Sequence, residues 1–442
     1  MSKKNIRWLY GELPGLIEAG VLSADGAERL RVHYGNAPLR SGRTIALAIF
    51  GALGAALIGG GIILLMAHNW EHLSRPMRCV HSFAPLVITQ LLFLWTLVTQ
   101  RDSAPWRETT AVAVILSIGT AIALIGQTYQ IPGDLGDFML VWALLSLPMI
   151  YLARSSFACF LYWAAITGWA GYEKAQAGQA ALFWVLLAAT LPFVVQEAKR
   201  STESPQFCGL CWAGTVCVLT ASGIVLEGCV PGLWIIVYSA LAGIFYLAGH
   251  ALKQYKLSPA WSAFVVVGRL GVPILAFVFT WKEIWSDIGW NHYRTAPRFH
   301  PLAATMDYVL VAALFAVAIP LLVRAWRCDR SRILYGSLPV LAGVAYIGAS
   351  LFFYGCCGEA LAMVIFNIYM FALGLFTIMA GIRNGHLGAL NGGMAILIAV
   401  IVARFFDCDF SFVARGVAFI IIGIGFLVVN LLMVRKNKGG AQ

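Results

Sequence analysis

Charge is what this chain has least of. Only 12% of its 442 residues are Asp, Glu, Lys or Arg, while 60% are hydrophobic and the mean hydropathy is +0.80. A soluble globule cannot be built from that balance, because its exterior must be covered by polar groups. The remaining solvent is lipid, where the backbone must satisfy its own hydrogen bonds, and apolar runs of about 20 residues select helices over barrel strands. Several catalytic motifs are also missing: there is no G-x-x-x-x-G-K-[ST], no G-x-S-x-G and no H-E-x-x-H. A nucleotide-driven pump and hydrolases of those kinds therefore have no footing. No internal repeat supports an inverted-repeat transporter. The first 44 residues contain no apolar h-region, so no cleavable signal peptide is expected.

The formal charge of +11 comes from 31 basic and 20 acidic residues. These basic residues are scattered between apolar runs rather than gathered into a patch, so nucleic acid is not an expected partner. They read as orientation signals instead. Most of the ten cysteines lie within apolar runs, and Cys208 with Cys211 forms a CxxC that has no second pair at zinc-ribbon spacing. Small apolar packing residues are the reading for that pair. Cys229, Cys356, Cys357 and Cys408 fall in loops placed outside, where a disulfide has room to form but no pairing follows from the sequence. No cofactor and no metal are expected.

The expected architecture is all-α: a polytopic transmembrane helical bundle of about 14 spans. Residues 1–44 form a short cytoplasmic helical hairpin, 45–434 the membrane domain and 435–442 a basic cytoplasmic tail. In the hairpin, Ile6, Leu9, Leu13, Leu16 and Ile17 recur at helical spacing, Gly20 can end the helix, and Ser23 with Asp25 can start a second one running to about Tyr34. Spans are read at 45–67, 79–98, 109–126, 138–153, 156–172, 179–196, 207–226, 231–250, 261–281, 305–325, 333–353, 360–380, 387–403 and 412–434. Between the fourth and fifth stand little more than Arg154 and Ser155. With the N-terminus inside, cytoplasmic segments collect Arg101, Arg154, Lys253, Arg327, Arg330, Arg332, Arg383 and Arg435 among others, and the opposite loops far fewer. That bias is sustained along the whole chain and puts both termini in the cytoplasm.

Four stretches resemble a bacterial membrane family known as domain of unknown function 2157. They are the hairpin with Trp8 and EAGVLS, the AHNWEHL after the first glycine-rich span, GQTYQIPGDLGDFMLVWALLSLPMIYL, and ARFFDCDFSFVARGVAFIIIGIGFLVVN. The likeness is best over residues 6–160. It implies a multi-pass protein of the bacterial inner membrane in contact with lipid, and it names no substrate, activity or protein partner.

Four constellations could carry chemistry. His68, Glu71 and His72 fit H-x-x-E-H, but Pro76 cuts short the helix that would hold a zinc site, and an interfacial Trp70 anchor is the better account. Arg269 lies about eight residues, roughly 12 Å, into its span, where an arginine costs at least ~2.5 kcal/mol unless paired or wetted. Pro273 has no N–H for the carbonyl of Arg269, so charge and a helix break are expected together, with Asn367 or Asn391 as structural partners. In QTYQIPGDLGD, Gln127, Gln130, Asp134 and Asp137 offer donors, acceptors and negative charge at a pocket rim on the outer side. At the other outer turn Arg404, Asp407 and Arg415 form a charge cluster expected to meet Asp134 and Asp137. These residues suggest a permease-like protein binding a small polar or anionic solute, or a lipid headgroup, in an outward-facing cavity. The alternatives are a membrane enzyme acting on a lipid-linked envelope precursor through Asp134, Asp137 or Asp407, and a structural or regulatory partner working through the hairpin.

Overall fold

The computed structural model describes residues 3–34, 73–176, 178–226, 230–255, 261–286, 288, 301–351 and 357–407, together with 420, 423 and 424. All regular structure among them is helical. The chain divides into two compact units, residues 1–80 and 81–442. The expected first span, the last one apart from residues 420, 423 and 424, the H-x-x-E-H motif, Arg415, and the loop cysteines Cys229, Cys356 and Cys408 lie outside the described residues, as does the side chain of Cys357.

In the first unit α1 (Lys3–Glu18) and α2 (Ala24–Tyr34) make the expected hairpin. Gly20 takes φ +69°, and the N–H groups of Val21 and Leu22 return to the carbonyl of Leu16, which closes α1 with a glycine in the left-handed region. The Ser23 hydroxyl accepts from the N–H of Gly26 at 3.1 Å and so opens α2. Leu13 of α1 and Ala27 of α2 are buried.

The membrane helices begin with α3 (Arg75–Thr99), α4 (Ala104–Tyr129), α5 (Leu135–Ala153) and α6 (Ser156–Ala175). Two short pieces, α7 (Phe183–Ala188) and α8 (Leu191–Arg200), make one interrupted span, and α9 (Pro205–Val225) follows. The turn between α5 and α6 is as tight as its two-residue spacing demands. Arg154 takes φ 49° and returns its N–H to the Ile150 carbonyl, and Ser155 then caps α6 by accepting from Ala158. Glu108 of α4 completes this start, accepting from the Ser155 hydroxyl and from the N–H groups of Ser156 at 3.1 Å and Phe157 at 3.0 Å. An anion there meets the positive end of the helix dipole.

Interruptions in these spans are filled from neighbouring helices, as lipid requires. Pro192 opens α8 without an N–H to give, and the chain turns at Ala189 and Thr190. The Tyr162 hydroxyl donates to the Leu186 carbonyl at 3.1 Å, the Tyr151 hydroxyl to that of Ala189, and Trp163 Nε1 to Thr190 Oγ1 at 3.0 Å. Helix α6 supplies two of these donors and is buried along most of its length among the apolar core of α4 to α9. Its aromatic character suits an inner helix.

The rest of the chain gives α10 (Leu233–Tyr255), α11 (Ser262–Val278), α12 (Glu283–Ser286), α13 (Pro301–Cys328), α14 (Ile333–Gly336), α15 (Leu338–Leu351), α16 (Cys357–Asn384) and α17 (Leu387–Asp407). A second apolar core lies among α10, α11, α15 and α16. Glycine sets the closest approaches. A Cβ on Gly268 of α11 would stand 2.3 Å from the Tyr246 backbone nitrogen of α10, and one on Gly393 of α17 2.7 Å from that of Ile378 of α16. Bundles in lipid, without a hydrophobic drive between helices, hold together through such small-residue contacts.

Ten helical segments among the described residues are long and apolar enough to cross a membrane, and α11 is a shorter apolar helix beside them. Their outward faces are apolar: Val98, Val185 and Ile368 are each more than 60% exposed. The protein is an all-α, polytopic membrane bundle. Two local expectations are corrected. Pro273 does not break α11, which runs unbroken through it, and α17 continues past residue 403 to Asp407.

Candidate functional site

A cavity of about 970 Å³ opens between α10, α11, α14, α16 and α17. Its walls come from five separated stretches of sequence. Arg269 stands on the α11 wall, one residue beyond the Gly268 contact that fixes α11 on α10, and its side chain is exposed to the opening. Tyr246 and His250 contribute from α10, and Tyr335 from α14. The rings of Tyr246 and Tyr335 stack at 4.9 Å with 19° between planes. Thr377 of α16 donates its hydroxyl to the Leu373 carbonyl at 2.7 Å, so its oxygen accepts from the Tyr335 hydroxyl at 3.1 Å. Those two buried polar groups are satisfied by each other and shape the wall.

His250 Nδ1 lies 2.9 Å from the carbonyl of Tyr246, one turn earlier. A carbonyl can only accept, so Nδ1 carries the proton and Nε2 is the ring atom left for a ligand. Asn384, His386 and Ser331 line the mouth at the ends of α16 and α17 and in the turn before α14. Among the described lining residues none is an acid. Asp329, two residues before the lining Ser331, is held by Arg332 Nε at 2.9 Å and by the Ser331 N–H at 3.1 Å. Burial pushes its carboxyl up, but the Ser331 hydroxyl and the Arg332 charge outweigh that, and its pKa is lowered. Fields from Arg269 and Arg332 both reach Tyr246 and His250. The local balance is positive.

Away from the mouth the lining becomes apolar. Leu270, Ile274, Phe277 and Val278 follow Arg269 along α11, and Ala395, Ile396 and Ala399 face them from α17.

Of the described side chains marked by sequence, only Arg269 belongs to this cavity. Its proposed partners are placed elsewhere: Asn367 donates to the carbonyls of Met363 at 2.8 Å and Thr280 at 3.4 Å, and Asn391 is exposed on α17. Arg404 lies beyond the apolar end of the cavity. It donates to the Thr280 carbonyl at 3.0 Å and to Thr280 Oγ1 at 3.1 Å, and its guanidinium sits 5.6 Å from the Trp281 ring centroid. Asp407 ends α17, and its side chain is outside what is described.

Gln127 lies in the last turn of α4 and Gln130 caps it at φ 53°. Asp134 caps α5, accepting from the Asp137 N–H at 2.9 Å, with Glu173 and Tyr172 of α6 close to the intervening Gly136. All four marked residues of this turn are exposed, and none lines the cavity. Asp134 caps α5, whereas Arg404 donates to the end of α11. The cavity's polar mouth is also not at the helix ends that carry Arg404. It lies at the opposite ends, beside the segments with Lys253, Arg332 and Arg383.

The lining residues other than Arg269 carry no motif. Tyr246, His250, Asn384 and His386 each look like an ordinary interfacial residue near the end of an apolar run. Asp307 of α13, only 4% exposed, is a further acid that spacing alone does not mark. Among the described residues no group of three His, Cys, Asp or Glu is placed to hold a metal ion.

Residues 14–159 match a family model described as "Predicted membrane protein (DUF2157)". Neither a curated protein nor a solved structure matches the chain.

Proposed function

Taking as premise that residues 14–159 match a predicted membrane protein family, we propose that this chain is a permease-like protein. It binds a small polar or anionic solute, or a lipid headgroup, in the cavity at Arg269. One observation carries the reading: an arginine more than a turn inside an apolar helix is exposed to a cavity of about 970 Å³ with no acid in its described lining. Keeping an uncompensated cation at that depth is costly, and a bound anion offsets the cost. The volume is at the upper end of the range for ligand pockets. The positive-inside bias supports a bacterial inner-membrane location with both termini cytoplasmic, so that the cavity faces the cytoplasm.

The enzyme reading has less support, since Asp134 and Asp137 sit in an exposed turn away from the cavity. Counterflow in proteoliposomes tests the proposal, using inorganic phosphate, glycerol 3-phosphate, dicarboxylates and neutral sugars. The expected result is exchange or binding of at least one anion that Arg269→Gln abolishes. Equal behaviour of wild type and Arg269→Gln towards every anion would overturn it.

A further inference from the structure

We infer that the ligand of this cavity is an anionic phospholipid-class amphiphile, entering sideways between α11 and α17 with its phosphate at Arg269. The inference rests on the anion-binding reading above and names its substrate class. Three observations carry it.

The first is the separation of polar and apolar lining. Asn384 and His386 lie at the mouth and Arg269 and His250 on the walls, while beyond Arg269 the α11 wall offers only Leu270, Pro273, Ile274, Phe277 and Val278 to the cavity. A small hydrophilic solute would use the mouth and leave the deeper half of the space without partners. An amphiphile satisfies both.

The second is length. Nine residues separate Arg269 from Val278, which at the helical rise is about 14 Å. An acyl chain of that length lying along α11 from a phosphate at Arg269 meets apolar α11 lining throughout.

The third is a lateral opening. Leu270 and Ile274 both belong to the cavity wall, and both are more than half exposed, at 58% and 59%. The side of the cavity is thus an apolar edge, which lipid tails can cross without meeting a charge. Arg269 lies directly beside it, and arginine suits phosphate because its planar fork can donate two parallel hydrogen bonds. The Asn384 amide, also in the lining, is a further donor.

The full-length protein, purified and delipidated in detergent, is titrated with three compounds and read by native mass spectrometry. These are dioctanoyl phosphatidic acid, dioctanoylglycerol with the same tails and no phosphate, and glycerol 3-phosphate with no tails. Phosphatidic acid should bind at least about tenfold more tightly than either of the others. Arg269→Gln should weaken it by about tenfold, the scale of one charge-assisted hydrogen bond.

A second variant guards against a folding artefact. Gly392 lines the cavity and a Cβ there meets nothing within 4 Å, so Gly392→Leu fills the space without touching the backbone packing. It should keep the wild-type melting temperature and lose phosphatidic acid binding. Glycerol 3-phosphate binding as tightly as the lipid, in an Arg269-dependent way, would overturn the lipid inference and leave the anion-site reading standing. Dioctanoylglycerol binding as tightly as phosphatidic acid, or no binding of any compound, would overturn both. Unchanged lipid binding in a folded Gly392→Leu would move the lipid out of this cavity and overturn the inference alone.

Discussion

Arg404 of α17 donates twice to Thr280, to its carbonyl at 3.0 Å and its hydroxyl at 3.1 Å, and so closes the C-terminal end of α11. A helix end leaves carbonyls without intrahelical partners and carries partial negative charge, and a cation there answers both. Asn367 reaches the same carbonyl, and Trp285 Nε1 takes that of Phe279 at 3.0 Å. The role is structural. Arg404→Met should destabilise the bundle by about 1–3 kcal/mol, the scale of losing charge-assisted hydrogen bonds. Thermal unfolding in detergent measures it, and Arg404→Lys should recover part of the loss.

Glu108 gives a second prediction of the same kind. It accepts from one hydroxyl and two backbone N–H groups at the start of α6. Glu108→Ala should cost about 1–3 kcal/mol, and Glu108→Gln less, since one acceptor oxygen remains. Denaturation curves of the two variants provide the comparison.

At Gly268 the prediction concerns space. A Cβ there would lie 2.3 Å from the Tyr246 nitrogen and 2.5 Å from its Cα, both backbone atoms that no rotamer change can move aside. Gly268→Ala should therefore separate α10 from α11 and lower stability by at least about 1–3 kcal/mol. Gly388→Ala, where nothing lies within 4 Å, should be close to neutral and serves as the control.

These contacts show what a sequence can and cannot disclose about such a chain. The spans are legible because lipid imposes a length and a composition on each, and the Arg154–Ser155 turn because two residues leave room for only one helix reversal. Arg269 stands out by its depth alone. Its neighbours do not, because the cavity assembles Tyr246, His250, Tyr335, Asn384 and His386 from segments whose proximity only the packing decides. The polar turns are harder to read, because Asp134 and Arg404 also serve helix ends: Asp134 caps α5, and Arg404 donates to Thr280 at the end of α11. Pro273 likewise suggested a break, yet α11 continues through it.

Asp329 gives a pH prediction. Its pKa is lowered from the ordinary 3.8, since the Ser331 hydroxyl and Arg332 outweigh the opposing effect of burial. A carboxylate depressed in the folded state adds stability above its unfolded pKa and loses it as pH falls through the lower folded value. Melting temperature should therefore drop as pH is lowered below about 4, and Asp329→Asn should show a shallower drop with a lower plateau at neutral pH. Superimposable pH profiles would contradict the assignment.

Charge selectivity at the cavity tests the account's central claim most directly. Gly392 lines the space, so Gly392→Cys is modified with an anionic and a cationic methanethiosulfonate reagent, against the wild-type background from native cysteines. Each rate is divided by the reagent's rate with a free thiol. The anionic reagent should react faster at the introduced thiol, and adding Arg269→Glu should reverse the preference. A preference that Arg269→Glu leaves unchanged, or no reaction at the introduced thiol with either reagent, would contradict a water-accessible anion site at Arg269.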